Sequence, residues 1–292
     1  MIVLTTPTGR IGRRVLERVL LRADEPVRVI ARNPDALPAD TTSRAEIVVG
    51  SHGDSAVIDA ALTGADALFW LTPPPWRAEA LENGMEELAR PAAEAVRRHQ
   101  LRHVVAVSNL GRGVPGESGL VRHGLAVEDL FAATGAAFRA ITLPGFFDNI
   151  LNDVAALRDG SLTGVLRPDL KVPMVAVDDI ADVITDLLVD RSWSGRQDRP
   201  MLGPEDLSMS DVAAILSDVL ARPIEYTQID LDTFRAGLLA RGASPAMADG
   251  MVGMMSAKNA GLDNAVTRTA QTASPTTFRA WAERELAPLV VS

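Results

Sequence analysis

The chain has 292 residues, of which 47% are hydrophobic and 23% charged, the composition of a folded globular protein with a sizeable core. It contains no cysteine, which excludes disulfides, thiol catalysis and thiolate metal sites. A formal net charge of −9 disfavours nucleic acid as a partner, and no apolar run approaches the roughly 20 residues of a membrane span. The first apolar run is too short for a signal peptide, so we expect a cytoplasmic protein.

The first thirty residues predict a strand, a glycine turn and a helix. An apolar run at residues 2–5 leads into the turn, and apolar residues then recur at helical spacing. In such a turn, glycine lets the backbone approach a pyrophosphate, and the N–H groups of the helix N-terminus attract the anion. The candidate contacts are Thr6, Thr8, Gly9, Arg10, Ile11 and Gly12. The alternative is a tight turn whose glycines serve only the backbone conformation.

Two residues distinguish this segment from the commonest dinucleotide-binding pattern. Thr6 stands where the fuller pattern has its first glycine, so we expect Pro7 and a small polar residue to make the turn. A second predicted strand, residues 27–31, ends in Arg32, where an NAD-binding chain normally carries an acid for the ribose hydroxyl. Because a cation at this point favours the 2′-phosphate of NADP, the sequence predicts NADP(H) as the cofactor.

Strand-type and helix-type segments alternate through the first half of the chain. Further strands are predicted at residues 46–49, 67–72, 103–107 and 138–142, and helices begin near residues 10, 54, 79 and 124. This order predicts an α/β fold with a Rossmann-type doubly wound parallel sheet, whose ligands bind at the carboxyl ends of the strands. Besides the first turn, those ends carry the predicted cofactor contacts Arg32, Asp54, Leu71, Thr72, Pro73, Ser108, Pro144, Gly145 and Phe146.

The second half of the chain predicts a smaller, mostly helical lobe. A strand at 172–177 precedes a helix capped by Asp178, and helices follow at about 208–221, 230–241, 244–257 and 276–286, with a strand near 224–229. We therefore predict a Rossmann domain at 1–150, onto which 172–190 packs back, and a substrate-binding lobe at 151–292. Phe146 and Phe147 are candidates for an apolar pocket wall. The methionines at 247, 251, 254 and 255 suit either such a wall or a core.

Six short motifs follow one another along nearly the whole chain. They are TGRIG (8–12), VRVIARNP (27–34), LTPP (71–74), VSNLG (107–111), PGFFDN (144–149) and VDDIA (177–181). Together they resemble the NmrA-like family of atypical short-chain dehydrogenases and reductases. The resemblance implies an NADP-binding Rossmann domain with a small C-terminal substrate lobe. Members of that family include NADPH-dependent quinone, azo and aromatic reductases and also redox sensors without catalysis.

The chain departs from the catalytic pattern of typical short-chain dehydrogenases. Those enzymes use a Tyr and a Lys four residues apart, with the Tyr as proton donor. Here the single tyrosine is Tyr226 and the two lysines are Lys171 and Lys258, all far from the expected helix. Where the family often has His and Glu four residues apart, His123 and Glu128 are five apart and would point to different faces of a helix.

Ser108 and His123 remain as candidate catalytic residues. Ser108 follows the fifth strand, where its hydroxyl can bond a substrate carbonyl or the nicotinamide ribose, although serine is also common at such junctions. His123 is a candidate proton donor or substrate-orienting group, and the alternative is a half-exposed histidine near a helix start. Asp54 can accept from the adenine amine or cap the next helix, and Thr72 with three prolines can form a wall beside the nicotinamide. The four histidines lack metal-ligand spacing with carboxylates, so we expect no metal site.

The missing tyrosine bears on the substrate. Hydride transfer to a ketone develops a basic alkoxide that needs a proton donor, whereas conjugated acceptors form delocalised anions that solvent can protonate. The sequence therefore predicts an NADPH-dependent reductase of a flat, conjugated small molecule of the quinone, azo or aromatic carbonyl type, acting as a monomer or homodimer. The alternative is an NADP-binding redox sensor without catalysis. A sugar-nucleotide epimerase or dehydratase is disfavoured by the same missing residues.

Overall fold

The computed structural model describes residues 1–291, which divide into two compact units. The first unit comprises Met1–Asn109, Arg122–Thr142 and Ile180–Arg199. The second comprises Leu110–Val121, Leu143–Asp179 and the chain from Pro200 onward. Each unit has its own strand pairings and its own buried core.

Twelve strands lie within the described residues. In chain order they are β1 (Ile2–Leu4), β2 (Val27–Ala31), β3 (Glu46–Val49), β4 (Ala67–Trp70), β5 (His103–Asn109), β6 (Ala137–Leu143), β7 (Gly145–Phe146), β8 (Ser161–Gly164), β9 (Val172–Val175), β10 (Arg196–Pro200), β11 (Asp206–Leu207) and β12 (Glu225–Gln228). Seven of them form a sheet in the order β10-β6-β5-β4-β1-β2-β3, three form a second sheet in the order β11-β9-β7, and β12 pairs with β8.

The large sheet has parallel pairing around its first strand. Ile2 of β1 lies opposite Val27 of β2 on one side and Ala67 of β4 on the other, and β4 pairs in parallel with β5. Every residue of β1, β2 and β4 is buried, as expected when helices cover both faces of a parallel sheet. The predicted doubly wound α/β fold is confirmed, and the ends of the predicted strands lie within about two residues of the observed ones.

Thirteen α-helices lie within residues 1–291. They are α1 (Arg10–Arg22), α2 (Thr41–Arg44), α3 (Ser55–Leu62), α4 (Leu81–Gly84), α5 (Glu86–Arg98), α6 (Leu120–Ala132), α7 (Val154–Arg158), α8 (Val177–Val189), α9 (Met209–Leu220), α10 (Leu231–Ala240), α11 (Pro245–Asn259), α12 (Phe278–Trp281) and α13 (Ala287–Val291). Short 3₁₀ segments lie at Pro34–Ala36, Phe147–Asp153 and Leu262–Ala265, and a π-helical segment, Ala282–Leu286, joins α12 to α13. In this part of the chain, no helix is long and apolar enough to cross a membrane.

Several helix boundaries differ from the sequence-based expectation, among them the start of α6, which lies at Leu120 and not near residue 124. The helix predicted to begin near residue 79 is observed as α4 and α5, because the backbone of Met85 between them is not helical (φ −121°, ψ −68°). Helix α8 begins at Val177, so Asp178 lies in its first turn and is not its cap. In α1, by contrast, Ile11, Val15 and Val19 are buried at the expected helical spacing.

The second unit has an aromatic core. Phe147 packs against Phe278 and Trp281, with ring centroids 5.2 and 5.9 Å away. Buried aliphatic residues from β8, β9 and α9 complete the cluster, among them Leu162, Val172, Val212, Leu216 and Leu220. Because Phe147 is only 1% exposed in this core, it does not line a pocket as the sequence suggested.

Candidate functional site

The turn between β1 and α1 depends on a close approach at Gly12. A Cβ atom at Gly12 would lie 2.0 Å from the Thr6 carbonyl oxygen, so the turn requires glycine there. A Cβ at Gly9 would meet nothing closer than the same oxygen, at 3.5 Å, and Gly9 is exposed. The close approach of Thr6 therefore explains why residue 12 is glycine. No protein atom crowds Gly9, so a ligand has room there.

Thr6 itself adopts the conformation that the first glycine provides in the fuller pattern. Its φ of 51° lies in the left-handed region, which is unusual for a β-branched residue. Pro7 and Thr8 are the central residues of this turn, which the Gly9 N–H closes by donating to the Thr6 carbonyl (3.1 Å). The Thr6 hydroxyl is buried and has no hydrogen-bond partner within residues 1–291.

Helix α1 presents an N-terminus suited to an anion. Gly9 precedes the helix in an extended conformation (φ −76°, ψ 165°), no side chain caps it, and its first turn contains no acid. The N–H groups of Ile11 and Gly12 have no acceptor within a helix at these positions, and the helix dipole favours negative charge beside them. Thr8 and Arg10 lie on the exposed side of the same turn. The arrangement fits the pyrophosphate of a dinucleotide.

Arg32 lies just beyond the end of β2 with an exposed side chain, near the buried His52. Burial and, to a smaller extent, the Arg32 guanidinium lower the pKa of His52 to about 4, so the imidazole is neutral at pH 7. The His52 ring packs edge-on against Trp70, with centroids 5.0 Å apart, and its Nε2 has no hydrogen-bond partner in the described part of the chain. Sequence reasoning identified Arg32 but missed His52, because a single histidine in a loop carries no motif.

Asp54 caps α3. Its Oδ1 accepts hydrogen bonds from the backbone N–H groups of Ala56 (2.9 Å) and Val57 (3.2 Å). Of the two roles considered for this residue, the cap is therefore observed, and a contact with adenine stays a prediction.

The loop after β4 is held by side-chain hydrogen bonds. Trp70 Nε1 donates to Thr72 Oγ1 (2.9 Å), and the Leu71 N–H donates to Thr5 Oγ1 (3.1 Å). Pro73 is half-buried and Pro75 buried, which further restricts the backbone. Because Thr72 Oγ1 accepts from the indole, its own proton remains available to a ligand at the end of the strand.

Ser108, near the end of β5, forms a hydrogen-bonded network with α6 and β10. Its hydroxyl lies 2.6 Å from Glu128 Oε2, and the other carboxylate oxygen of Glu128 lies 3.0 Å from Arg196 Nη2. Ser108 and Glu128 are 3% and 1% exposed. Because an ionised carboxylate only accepts, the single proton of Ser108 is donated to Glu128. Sequence reasoning considered Glu128 only as a partner of His123 and gave Arg196 no role.

His123 is bonded at both ring nitrogens. Its Nδ1 lies 2.7 Å from Glu86 Oε1, and its Nε2 lies 3.3 Å from Arg122 Nη2. Since a guanidinium only donates, this network places the ring proton on Nδ1, where Glu86 accepts it, and leaves Nε2 as the acceptor. His123 is buried, which contradicts the half-exposed alternative. As the five-residue spacing predicted, His123 and Glu128 bind different partners.

The remaining predicted contacts belong to the second unit. Pro144 is buried, and Gly145 and Phe146 are half-buried in β7, where they lie opposite Met174 and Val175 of β9. Of the four methionines in α11, Met247 is buried in the core, and those at 251, 254 and 255 are half-buried.

The single tyrosine and the lysines have structural partners. Tyr226 Oη donates to the Leu166 carbonyl (2.7 Å), and burial raises the pKa of this hydroxyl to about 12. Lys258 is paired with Asp263, and Lys171 lies 3.7 Å from Asp211. All three side chains have their partners within the second unit. Among the described residues, no cluster of His, Cys, Asp or Glu could hold a metal ion.

A family model described as NAD(P)H-binding matches residues 7–191, and the chain belongs to this family. The match confirms the expected nicotinamide dinucleotide cofactor, and the geometry of the first turn agrees with it. A preference for NADP over NAD stays a prediction, and it depends on Arg32.

Curated relatives match over most of their length. The chain is 32% identical over 247 residues to a (4-alkanoyl-5-oxo-2,5-dihydrofuran-3-yl)methyl phosphate reductase from Streptomyces griseus, covering 84% of this chain and 83% of that protein. It is 25% identical over 252 residues to an NAD(P)H azoreductase from Xenophilus azovorans, covering 86% and 85%.

Solved structures share the fold at lower sequence identity. A triphenylmethane reductase from Citrobacter sp., complexed with NADP(H), superposes with a TM-score of 0.80 at 15% identity, over 98% of this chain and 100% of that one. An NADPH-dependent quinone oxidoreductase from Escherichia coli, complexed with NADPH, gives a TM-score of 0.77 at 20% identity, over 96% and 97%.

Proposed function

We propose that this protein is an NADPH-dependent reductase that transfers hydride to a conjugated small molecule. The family supplies the cofactor class, and both curated relatives described above are reductases. The first turn, with Gly9 and the uncapped start of α1, would hold the pyrophosphate, and Arg32 would bind the 2′-phosphate. The reduced nicotinamide supplies the hydride.

The conjugated substrate class is inferred from the hydrogen bonds of the two candidate proton donors. Ser108 already donates its proton to Glu128, and His123 donates its ring proton to Glu86. Neither group is set to protonate a developing alkoxide, which is what reduction of an isolated ketone requires. An acceptor that spreads the incoming charge over a π-system needs no such donor, because solvent can protonate its anion.

The names of the relatives agree with this class. A 5-oxo-2,5-dihydrofuran with a 4-alkanoyl group has a C=C bond conjugated with two carbonyls, and the azo group of the second relative is also an extended acceptor. These substrates are those relatives' own. For this chain they define the compounds to try first.

The test is a screen of NADPH oxidation with four acceptor classes: quinones, azo dyes, alkanoyl-substituted butenolides and isolated ketones. We expect turnover with at least one conjugated class and none with the isolated ketones. The Gly9→Ala variant serves as the control, since a Cβ there is tolerated by the fold but occupies the space left for the cofactor. Faster turnover of isolated ketones than of every conjugated compound would refute the proposed substrate class.

A further inference from the structure

Ser108 and Glu128 are buried and form a hydrogen-bonded network that ends at Arg196, whose side chain is 44% exposed. Glu128 accepts from Ser108 on one oxygen (2.6 Å) and from Arg196 on the other (3.0 Å), so the ion pair holds the carboxylate in one orientation. Within residues 1–291, no donor contacts the Ser108 Oγ. The lone pairs of this oxygen receive no hydrogen bond from the described residues, so Ser108 can accept one but has no proton left to donate.

The position of Ser108 points to one half of the cofactor. The glycine turn follows β1, and Arg32 follows β2, which places the adenosine half over β1 and its neighbours on that side. Ser108 lies on β5, two strands from β1 in the other direction, roughly 10 Å away at normal strand spacing. In a doubly wound sheet that half receives the nicotinamide mononucleotide.

We propose that Glu128 is a positioning residue that turns Ser108 into a hydrogen-bond acceptor for the carboxamide amino group of the nicotinamide. The ribose hydroxyls can donate or accept and adapt to either orientation of a serine. The carboxamide NH₂ only donates, so it is the group that a serine fixed as an acceptor recognises. This inference deepens the cofactor part of the proposed function and requires no knowledge of the substrate.

The experiment compares two oxidised cofactors by isothermal titration calorimetry. NADP⁺ carries the carboxamide, and 3-acetylpyridine adenine dinucleotide phosphate keeps the carbonyl but lacks the NH₂ donor. We expect Ser108→Ala to weaken NADP⁺ binding roughly fivefold, the worth of one hydrogen bond, and to change binding of the acetylpyridine analogue less than about twofold. Equal weakening with both cofactors would show that Ser108 bonds a group common to both and would overturn the proposal, as would no weakening with either.

Two neighbouring carboxylates provide a matched pair of variants. Glu128→Gln removes the buried charge that orients Ser108, and we expect it to reproduce the selective loss of NADP⁺ affinity. Asp129→Asn removes the same charge from the next residue, which lies 3.7 Å from the same Arg196 but is exposed, and we expect it to change neither affinity. If Glu128→Gln does not fold, Glu128→Asp, which keeps the charge but retracts the carboxylate from Ser108, replaces it with the same expectation.

The outcomes separate this inference from the reductase assignment. Affinities like those of the unmodified protein in a folded Glu128 variant would overturn the positioning role. Selective loss of NADP⁺ affinity without turnover of any acceptor would support the inference and refute the reductase. A protein that binds neither cofactor would refute both.

Discussion

Arg32 is the residue on which the choice of cofactor depends. The Arg32 side chain is exposed at the end of β2, where a charged group of a ligand can reach it. Its positive charge contributes to the lowered pKa of the neighbouring His52. A charge-assisted contact with the 2′-phosphate is worth about 1.4 kcal/mol or more, so we expect NADPH to bind at least about tenfold more tightly than NADH. Titration of Arg32→Ala with both cofactors should show that this preference is lost. An unchanged preference would contradict the assignment.

Ser108 and His123 should each contribute little to the chemical step. Both side chains already donate their proton to a carboxylate. We therefore expect Ser108→Ala and His123→Ala to lower kcat at saturating NADPH by about tenfold or less. Loss of a dedicated general acid would lower it by about 10²–10⁴. Ser43→Ala, at an exposed serine that bonds only the Asp40 carbonyl, is the control. A loss of several thousandfold in either variant, with cofactor affinity intact, would reveal a true proton donor and would remove the reason for preferring conjugated acceptors.

The turn between β1 and α1 allows the fold and the cofactor site to be tested separately. Gly12→Ala would drive a Cβ into the Thr6 carbonyl, so we expect a loss of stability of about 3 kcal/mol or more. Gly9→Ala makes only ordinary contact and should cost less than about 1 kcal/mol, yet weaken NADPH at least about tenfold, since the pyrophosphate must approach this backbone. Urea denaturation and cofactor titration measure the two effects. Unchanged NADPH affinity in Gly9→Ala would show that the pyrophosphate does not bind at this turn.

The elements of the fold differ in how readily the sequence predicts them. Buried parallel strands such as β1 and β4 are continuous apolar runs, so their positions follow from hydrophobicity alone. Strand β10, Arg196–Pro200, was not predicted because it contains four polar residues and no apolar pattern. The two-residue strands β7 and β11 are too short to give any periodicity.

The residues of the candidate site also differ in how readily the sequence identifies them. The glycine turn and Arg32 are local in sequence, so their spacing was enough to identify them. The partners of Ser108 and His123 lie 20 and 37 residues away in the chain, and only the fold brings these carboxylates to them. His52 is defined by burial against Trp70, a contact that the sequence around residue 52 does not encode.

At the scale of the whole molecule, His52 predicts a pH dependence of stability. Its pKa is about 4 in the folded protein, against 6.5 for a solvated histidine in the unfolded chain, so between these values the unfolded chain binds the extra proton. The folded state is therefore fully favoured above pH 6.5 and loses stability as the pH falls towards 4. We expect a decrease of about 2 kcal/mol between pH 7 and pH 5 in urea denaturation.

His52→Phe provides the comparison for that prediction. Phenylalanine keeps a ring against Trp70 but has no proton to bind, so the difference between pH 7 and pH 5 should shrink by most of that amount. Asp66 contributes outside this window, because its bonds to the N-terminus and Arg102 lower its pKa to about 2. An equal pH dependence in the two proteins would show that His52 is not held neutral by the fold.

The central claim is that NADPH passes hydride to a conjugated acceptor without a dedicated proton donor. Stopped-flow measurement of NADPH oxidation, with the best acceptor from the screen, tests it most directly when NADPH is compared with its C4-deuterated form and H₂O with D₂O. We predict that deuterium at C4 slows the single-turnover reaction and that D₂O changes it little, because hydride transfer carries the barrier and protonation follows it. A large effect of D₂O with no effect of C4 deuteration, or no oxidation of NADPH by any acceptor, would contradict the account.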